Sequence, residues 1–121
     1  MLGVIVFAHG SRDPLWRAPV ESVARQIRDA DPAVRVACAY LELSEPDLPT
    51  AAAQLVSQGV SRIRVLPLFF GMGKHAREDL PALMVDLQTE HPDVRFELMR
   101  PAGEDERLTA LLADLALEDR S

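Results

Sequence analysis

Apolar positions along this chain fall into two kinds of segment, short blocks and longer helix-spaced stripes, and the two kinds alternate four times. The first block, Gly3-Val4-Ile5-Val6-Phe7-Ala8, is apolar without a break, the pattern of a short strand covered on both faces. After His9-Gly10-Ser11-Arg12, Asp13 stands as a helix cap with Pro14 at the first helical position. Trp16, Val20, Val23 and Ile27 then recur at helical spacing until Asp31-Pro32 closes the element. A second strand is expected from Val34 to about Leu41, with Glu42 just past its end. The next helix is expected from near Pro46, with Leu48, Ala52, Leu55 and Val56 on one face and Gly59 as its stop.

The third block, Ile63 to Phe70, reads as a strand whose regular pairing weakens at Pro67, because proline has no N–H to donate. It is followed by Gly71-Met72-Gly73-Lys74-His75. A third helix is expected to be capped by Asp79, with Pro81 in its first turn, Leu80, Leu83, Met84 and Leu87 as its stripe, and His91-Pro92 as its end. Val94 to Met99 alternates as a fourth strand, and Leu108, Leu111, Leu112 and Leu115 mark a last helix. Strand–helix alternation throughout predicts an α/β protein with a parallel sheet and right-handed crossovers. The continuously apolar first and third strands belong at the centre and the alternating second and fourth at the edges. The expectation is a flavodoxin-like three-layer sandwich of order 2-1-3-4, with helices on both faces.

That order sets the candidate chemistry. His9 and His75 each follow a central strand, in loops leading into helices, so both imidazoles fall at the carboxyl end of the sheet. There they would face each other across the crevice where such folds bind ligands. Two neutral imidazoles can hold a borderline divalent metal and can accept protons. Glu42 approaches the same crevice from the neighbouring strand, as a metal or proton partner or as a solvated loop acid with Glu45 close by. Gly10, Gly71 and Gly73 serve as turn residues or clear room for a large planar ligand. Arg12, Lys74 and Arg77 are the cations nearest the two loops, placed to meet substrate carboxylates. His91 lies at the opposite end of the sheet and reads as a helix-capping or solvent-facing residue.

Composition narrows the classes. The 121 residues suit one domain over 1–121, with 48% apolar and 26% charged residues. A net charge of −6 argues against nucleic-acid binding. Cys38, the one cysteine, has no internal partner, no apolar run is long enough to cross a membrane, and no secretion signal is visible, so a cytoplasmic location is expected. No phosphate-binding loop, dinucleotide fingerprint or cysteine-rich zinc spacing is present, so no nucleotide cofactor is expected. Ser11 lies near His9, but its surroundings lack the nucleophile-elbow pattern. A histidine phosphatase would want arginine where Ala8 stands, and flavin binding would want a hydroxyl-rich phosphate loop. A non-catalytic cobalt or nickel carrier using the same histidines is the rival from outside enzymology.

At these residues the chain resembles the short CbiX-type sirohydrochlorin chelatases. The resemblance lies in Ala8-His9-Gly10-Ser11-Arg12-Asp13-Pro14, in Tyr40-Leu41-Glu42, and in Pro67-Leu68-Phe69-Phe70 through Gly73, His75 and Asp79-Leu80-Pro81. It implies a class II chelatase-like fold and a lyase that inserts Co2+ (Ni2+ or Fe2+ in related members) into sirohydrochlorin without ATP. The product would serve cobalamin or related tetrapyrrole biosynthesis, and the small form would act as a homodimer. It further implies His9 and His75 as metal-site residues, with Glu42 where the family commonly has an acid. Gly10, Ser11, Arg12, Gly73, Lys74 and Arg77 are expected to meet the macrocycle. Some relatives carry a histidine-rich stretch for metal storage; none is present here.

Overall fold

The computed structural model of the protein describes residues 1–119. Four parallel strands, β1 (Leu2–Ala8), β2 (Arg35–Tyr40), β3 (Arg62–Pro67) and β4 (Arg95–Leu98), form one sheet in the order β2-β1-β3-β4, as expected. The register pairs Ala8 with Tyr40 and Phe7 with Pro67, so the central strands end side by side. Four helices connect and flank them: α1 (Ala18–Ala30), α2 (Leu48–Ser57), α3 (Lys74–Glu90) and α4 (Glu106–Ala116).

The continuous apolarity of β1 finds its cause in the two covers. Ile5 and Phe7 join Ala39, Ile63 and Val65 on one face, packed with Leu48, Ala51, Ala52 and Leu55 of α2 and Leu80, Met84 and Leu87 of α3. Val6 and Ala8 face the other way with Tyr40, against Val20 and Ala24 of α1. Cys38 sits half-buried on that second face. There burial pushes its thiol pKa above the usual value, with a smaller opposing pull from Arg28.

Three helices start elsewhere than expected, and each carries a proline. Pro19 cannot donate the bond that a continuous helix from Pro14 would need. The chain therefore makes a 3-10 turn over Pro14–Arg17, capped by Asp13, and α1 begins only at Ala18 with Pro19 in its first turn. Asp47 starts α2, its carboxylate accepting the Thr50 N–H at 2.9 Å, with Pro49 in the first turn.

The third case is a correction that moves a site residue. α3 starts at Lys74, capped by Gly73 and not by Asp79, and Pro81 lies inside it. His75 is therefore in a first helical turn and not in a loop. The apolar row Leu80, Met84, Leu87 extends back one turn to half-buried Ala76, and each large side chain in it contributes roughly 1.5–3 kcal/mol on burial. An interior proline costs about 3 kcal/mol or more where the carbonyl it orphans is left unsatisfied. Here Pro81 and Arg77 are both exposed, so water reaches the carbonyl that the ring leaves without its helix partner.

Candidate functional site

The β1–β2 ladder continues past the strands and builds one side of the crevice. The Ala8 and His9 carbonyls accept the Leu41 and Glu42 N–H groups at 2.9 and 3.1 Å. This sets Glu42 beside His9, with Oε1 3.7 Å from Nδ1 and the two side chains 62% (His9) and 57% (Glu42) exposed. Gly10 makes the approach workable. Its φ is +104°, and a Cβ there would collide with the Glu42 carbonyl oxygen, so no other residue fits.

Ser11 is tied to the same loop twice, its N–H donating to Ser44 Oγ at 3.1 Å and its carbonyl accepting from that hydroxyl at 2.7 Å. Between Glu42 and Ser44, Leu43 takes a φ of +62° in a tight turn closed by the Ser44 N–H on the Glu42 carbonyl at 2.8 Å. A branched side chain held there is strained backbone, of the kind that gathers at functional loops. Ser11 Oγ then accepts from the Asp13 N–H at 3.1 Å, and Asp13 caps the 3-10 turn through the Leu15 N–H at 3.0 Å. Trp16 and the Arg17 guanidinium pack on the Tyr40 ring and dock that turn on β2.

The other side is built from β3 and α3. The Leu68 N–H reaches the Phe7 carbonyl at 2.7 Å, and Phe69 then turns inward. Its ring meets Phe7 and His9 edge-on, at 5.9 and 6.1 Å between centroids. His75, on the first turn of α3, lines a cavity of about 130 Å3 with Phe7, Leu41, Phe69, Asp79 and Leu80. Phe69 thus touches His9 and shares a cavity wall with His75, at the carboxyl ends of adjacent central strands. Arg12, Lys74 and Arg77 are exposed around them, and none is in an ion pair among the described residues. Gly73 starts α3 without a side-chain cap, which leaves positive potential from the first-turn N–H groups facing the crevice mouth.

Among the described residues, no three His, Cys, Asp or Glu side chains converge as a metal-holding group. The site offers two imidazoles and one carboxylate on an open surface. A rim of exposed apolar side chains surrounds it: Leu15, Leu41, Leu43 and Phe70, the last 70% exposed. The sequence reading missed this rim as well as Phe69 and Ser44. Part of the signal for the rim was present, since apolar residues persist past the second and third strands at Leu41, Leu43 and Leu68 to Phe70. His91 lies at the far end of the sheet, where its N–H closes α3 on the Leu87 carbonyl. It is half-buried against Phe96 and not solvent-facing.

Among the described residues, no helix is long and apolar enough to cross a membrane. The family model CbiX matches residues 3–119. A sirohydrochlorin cobaltochelatase of Methanosarcina acetivorans is 32% identical over 124 residues, covering 97% of this chain and 92% of its own length. A CbiX protein of Marinobacter aquaeolei VT8, assigned to cobalamin (vitamin B12) biosynthesis, superimposes with a TM-score of 0.84 at 34% identity, covering 98% of this chain and 97% of that one. The sirohydrochlorin chelatase SirB of Bacillus subtilis subspecies spizizenii, solved with cobalt, shares the fold at a TM-score of 0.82 and 24% identity. The chain spans 98% of its own length there and half of SirB. With nearly its whole length matched by the family model and the same fold in the Marinobacter protein, the chain belongs to the CbiX family.

Proposed function

We propose that the protein is a sirohydrochlorin chelatase that inserts Co2+, with Ni2+ or Fe2+ as related cargo, into the macrocycle without ATP. The observation that carries this reading is the placement of His9 and Glu42, 3.7 Å apart, with the Phe69 ring against His9 and lining the cavity that His75 also lines, on an open face with exposed apolar side chains and cations. His9 and His75 receive the metal through neutral imidazole nitrogens, with water in the remaining positions. Nitrogen donors of intermediate softness suit cobalt, nickel or ferrous iron. The sparse donor set fits a cargo ion, which must leave, better than a closed four-ligand shell would.

The macrocycle docks on Leu15, Leu41, Leu43 and Phe70. Its carboxylates meet Arg12, Lys74, Arg77 and the start of α3, while Gly10, Ser11 and Gly73 shape the adjoining backbone. As the four ring nitrogens bind the ion, two pyrrole N–H protons leave. Glu42, 3.7 Å from His9 Nδ1, accepts one within the site, and the His9 nitrogen accepts the other once it has released the ion to the ring. Holding ion and ring face to face removes much of the entropic barrier, which accounts for catalysis without a nucleotide.

Residues 1–121 act as one chelatase domain, and the working form is a homodimer in the cytoplasm. Two features support the dimer. One copy leaves the metal face largely uncovered, and α4 buries none of its residues while Leu111 and Leu115 stay exposed. The lone unpaired Cys38 supports a reducing compartment. The decisive experiment incubates the pure protein with sirohydrochlorin and Co2+ and follows the absorption change of the ring against a protein-free control. A rate well above the control is expected. Tight Co2+ binding with no acceleration would make the protein a carrier.

A further inference from the structure

Phe69 has no polar group to offer a metal, yet the structure sets its ring against His9 and on the wall of the cavity that His75 lines. Its ring meets His9 edge-on, with 75° between the planes, and it lines the same cavity as His75. The ring is fixed from beneath by Phe7, again edge-on at 73°. The backbone of the residue is fixed from a distant part of the chain. The Gly103 N–H, in the 3-10 turn Ala102–Glu104 between β4 and α4, donates to the Phe69 carbonyl at 2.8 Å. A Cβ on Gly103 would fall on the carbonyl oxygen and Cα of Phe70. What Gly103 supplies is space for two backbones to touch.

We propose that Phe69, anchored by Gly103, is a positioning residue that sets the spacing and tilt of the His9 and His75 imidazoles. The inference rests on the assignment of those histidines as the metal-holding pair. They come from different elements, the loop after β1 and the first turn of α3, and among the described residues no hydrogen bond joins their side chains. Their relative placement therefore depends on what packs between those elements. An aromatic ring has few torsions and a fixed shape, so it transmits the position of its backbone to whatever it touches. The hydrogen bond from Gly103 then extends the support of the metal site to the turn before α4, 28 residues beyond His75 in the chain.

The test uses the full chain, with Co2+ alone as the probe and then with sirohydrochlorin. Phe69→Leu and Gly103→Ala are each expected to weaken Co2+ binding by about 10-fold or more, the usual scale for groups that orient metal ligands. Both are expected to shift the visible absorption of bound Co2+. Phe69→Tyr, which keeps the ring, is expected to retain both properties. Phe69→Leu should melt within about 5 °C of the parent, because the residue is only half-buried and leucine fills most of its volume. Parental Co2+ affinity and absorption in Phe69→Leu would overturn the proposal while leaving the histidine assignment standing. Absence of Co2+ binding by the parent would instead overturn that assignment, and this inference with it. Should Gly103→Ala fail to fold, Phe69→Leu decides alone. A large drop in its melting temperature would overturn the proposal by making the ring core support.

Discussion

The two corners that present the histidines are built on opposite plans. Around His9 the backbone is closed at every step: the extended ladder to Leu41 and Glu42, the reciprocal Ser11–Ser44 pair, and Gly10 pressed against the Glu42 carbonyl. Around His75 the approach is loose. A Cβ on Gly71 or Gly73 would meet nothing within 4 Å, and α3 begins without a side-chain cap. One imidazole is held by its loop, the other by a helix whose lead-in is open to solvent at Gly71 and Gly73. Under the proposed assignment of the two histidines, such a pair would keep one fixed reference for the ion and leave the other side open to a bulky ring.

Removing either imidazole should have the largest effect. His9→Ala and His75→Ala are each expected to lower Co2+ insertion by about 100-fold or more, since a lost ligand removes several kcal/mol of charge stabilisation. Both side chains are exposed, so melting temperatures should stay close to the parent. Near-normal rates in both variants would take the histidines out of the mechanism.

The glycines sharpen the contrast between the corners. Gly10→Ala must relieve both a positive φ and a collision with backbone, a cost of about 1–3 kcal/mol, and should lose most activity. Gly71→Ala should keep its rate within about 2-fold, because the added methyl meets only open space. Equal tolerance at the two positions, measured by the same absorption assay, would erase the difference between the corners.

Ser44→Ala comes next. It strips both partners from Ser11 and should destabilise the protein by about 1–2 kcal/mol in urea unfolding, with a partial loss of activity. No change in the unfolding midpoint would mean that water replaces the hydroxyl.

What could be read from the sequence follows from how local the cause was. The positions of His9 and Glu42 were legible because both lie one or two residues past apolar strands, and the sheet order followed from which strands alternate. The start of α3 was not legible, because Pro81 looked like a boundary, and only the burial of Leu80, Met84 and Leu87 against the sheet shows why the helix runs through it. Pro19 had the reverse effect and split an element that spacing alone presented as continuous. The Gly103–Phe69 contact joins residues 34 apart, and no periodicity encodes it. His91 was legible as lying away from the site, while its burial against Phe96 was not.

The smallest expected effect lies away from both corners. Asp105 caps α4, accepting the Arg107 backbone N–H at 2.8 Å and its guanidinium through both carboxylate oxygens, and these bonds hold its carboxyl well below the usual carboxylate range. A depressed folded-state pKa stabilises the fold above the unfolded value near 4, and that contribution is lost as pH falls below it. Asp105→Asn should therefore lower the melting temperature slightly at pH 6, with the gap closing towards pH 2. A gap that stays constant across that range would remove the carboxylate from the acid response.

Cys38 bears on how such a protein handles its cargo. A thiolate is a stronger trap for a borderline ion than an imidazole, and a reactive sulfur near the crevice would compete for every ion that arrives. This sulfur sits on the sheet face packed against α1, and burial keeps it in the protonated form, which binds metal poorly. Under the proposed chelatase reading, ions are then left to the nitrogen and oxygen donors of His9, His75 and Glu42, and this sulfur does not draw them away.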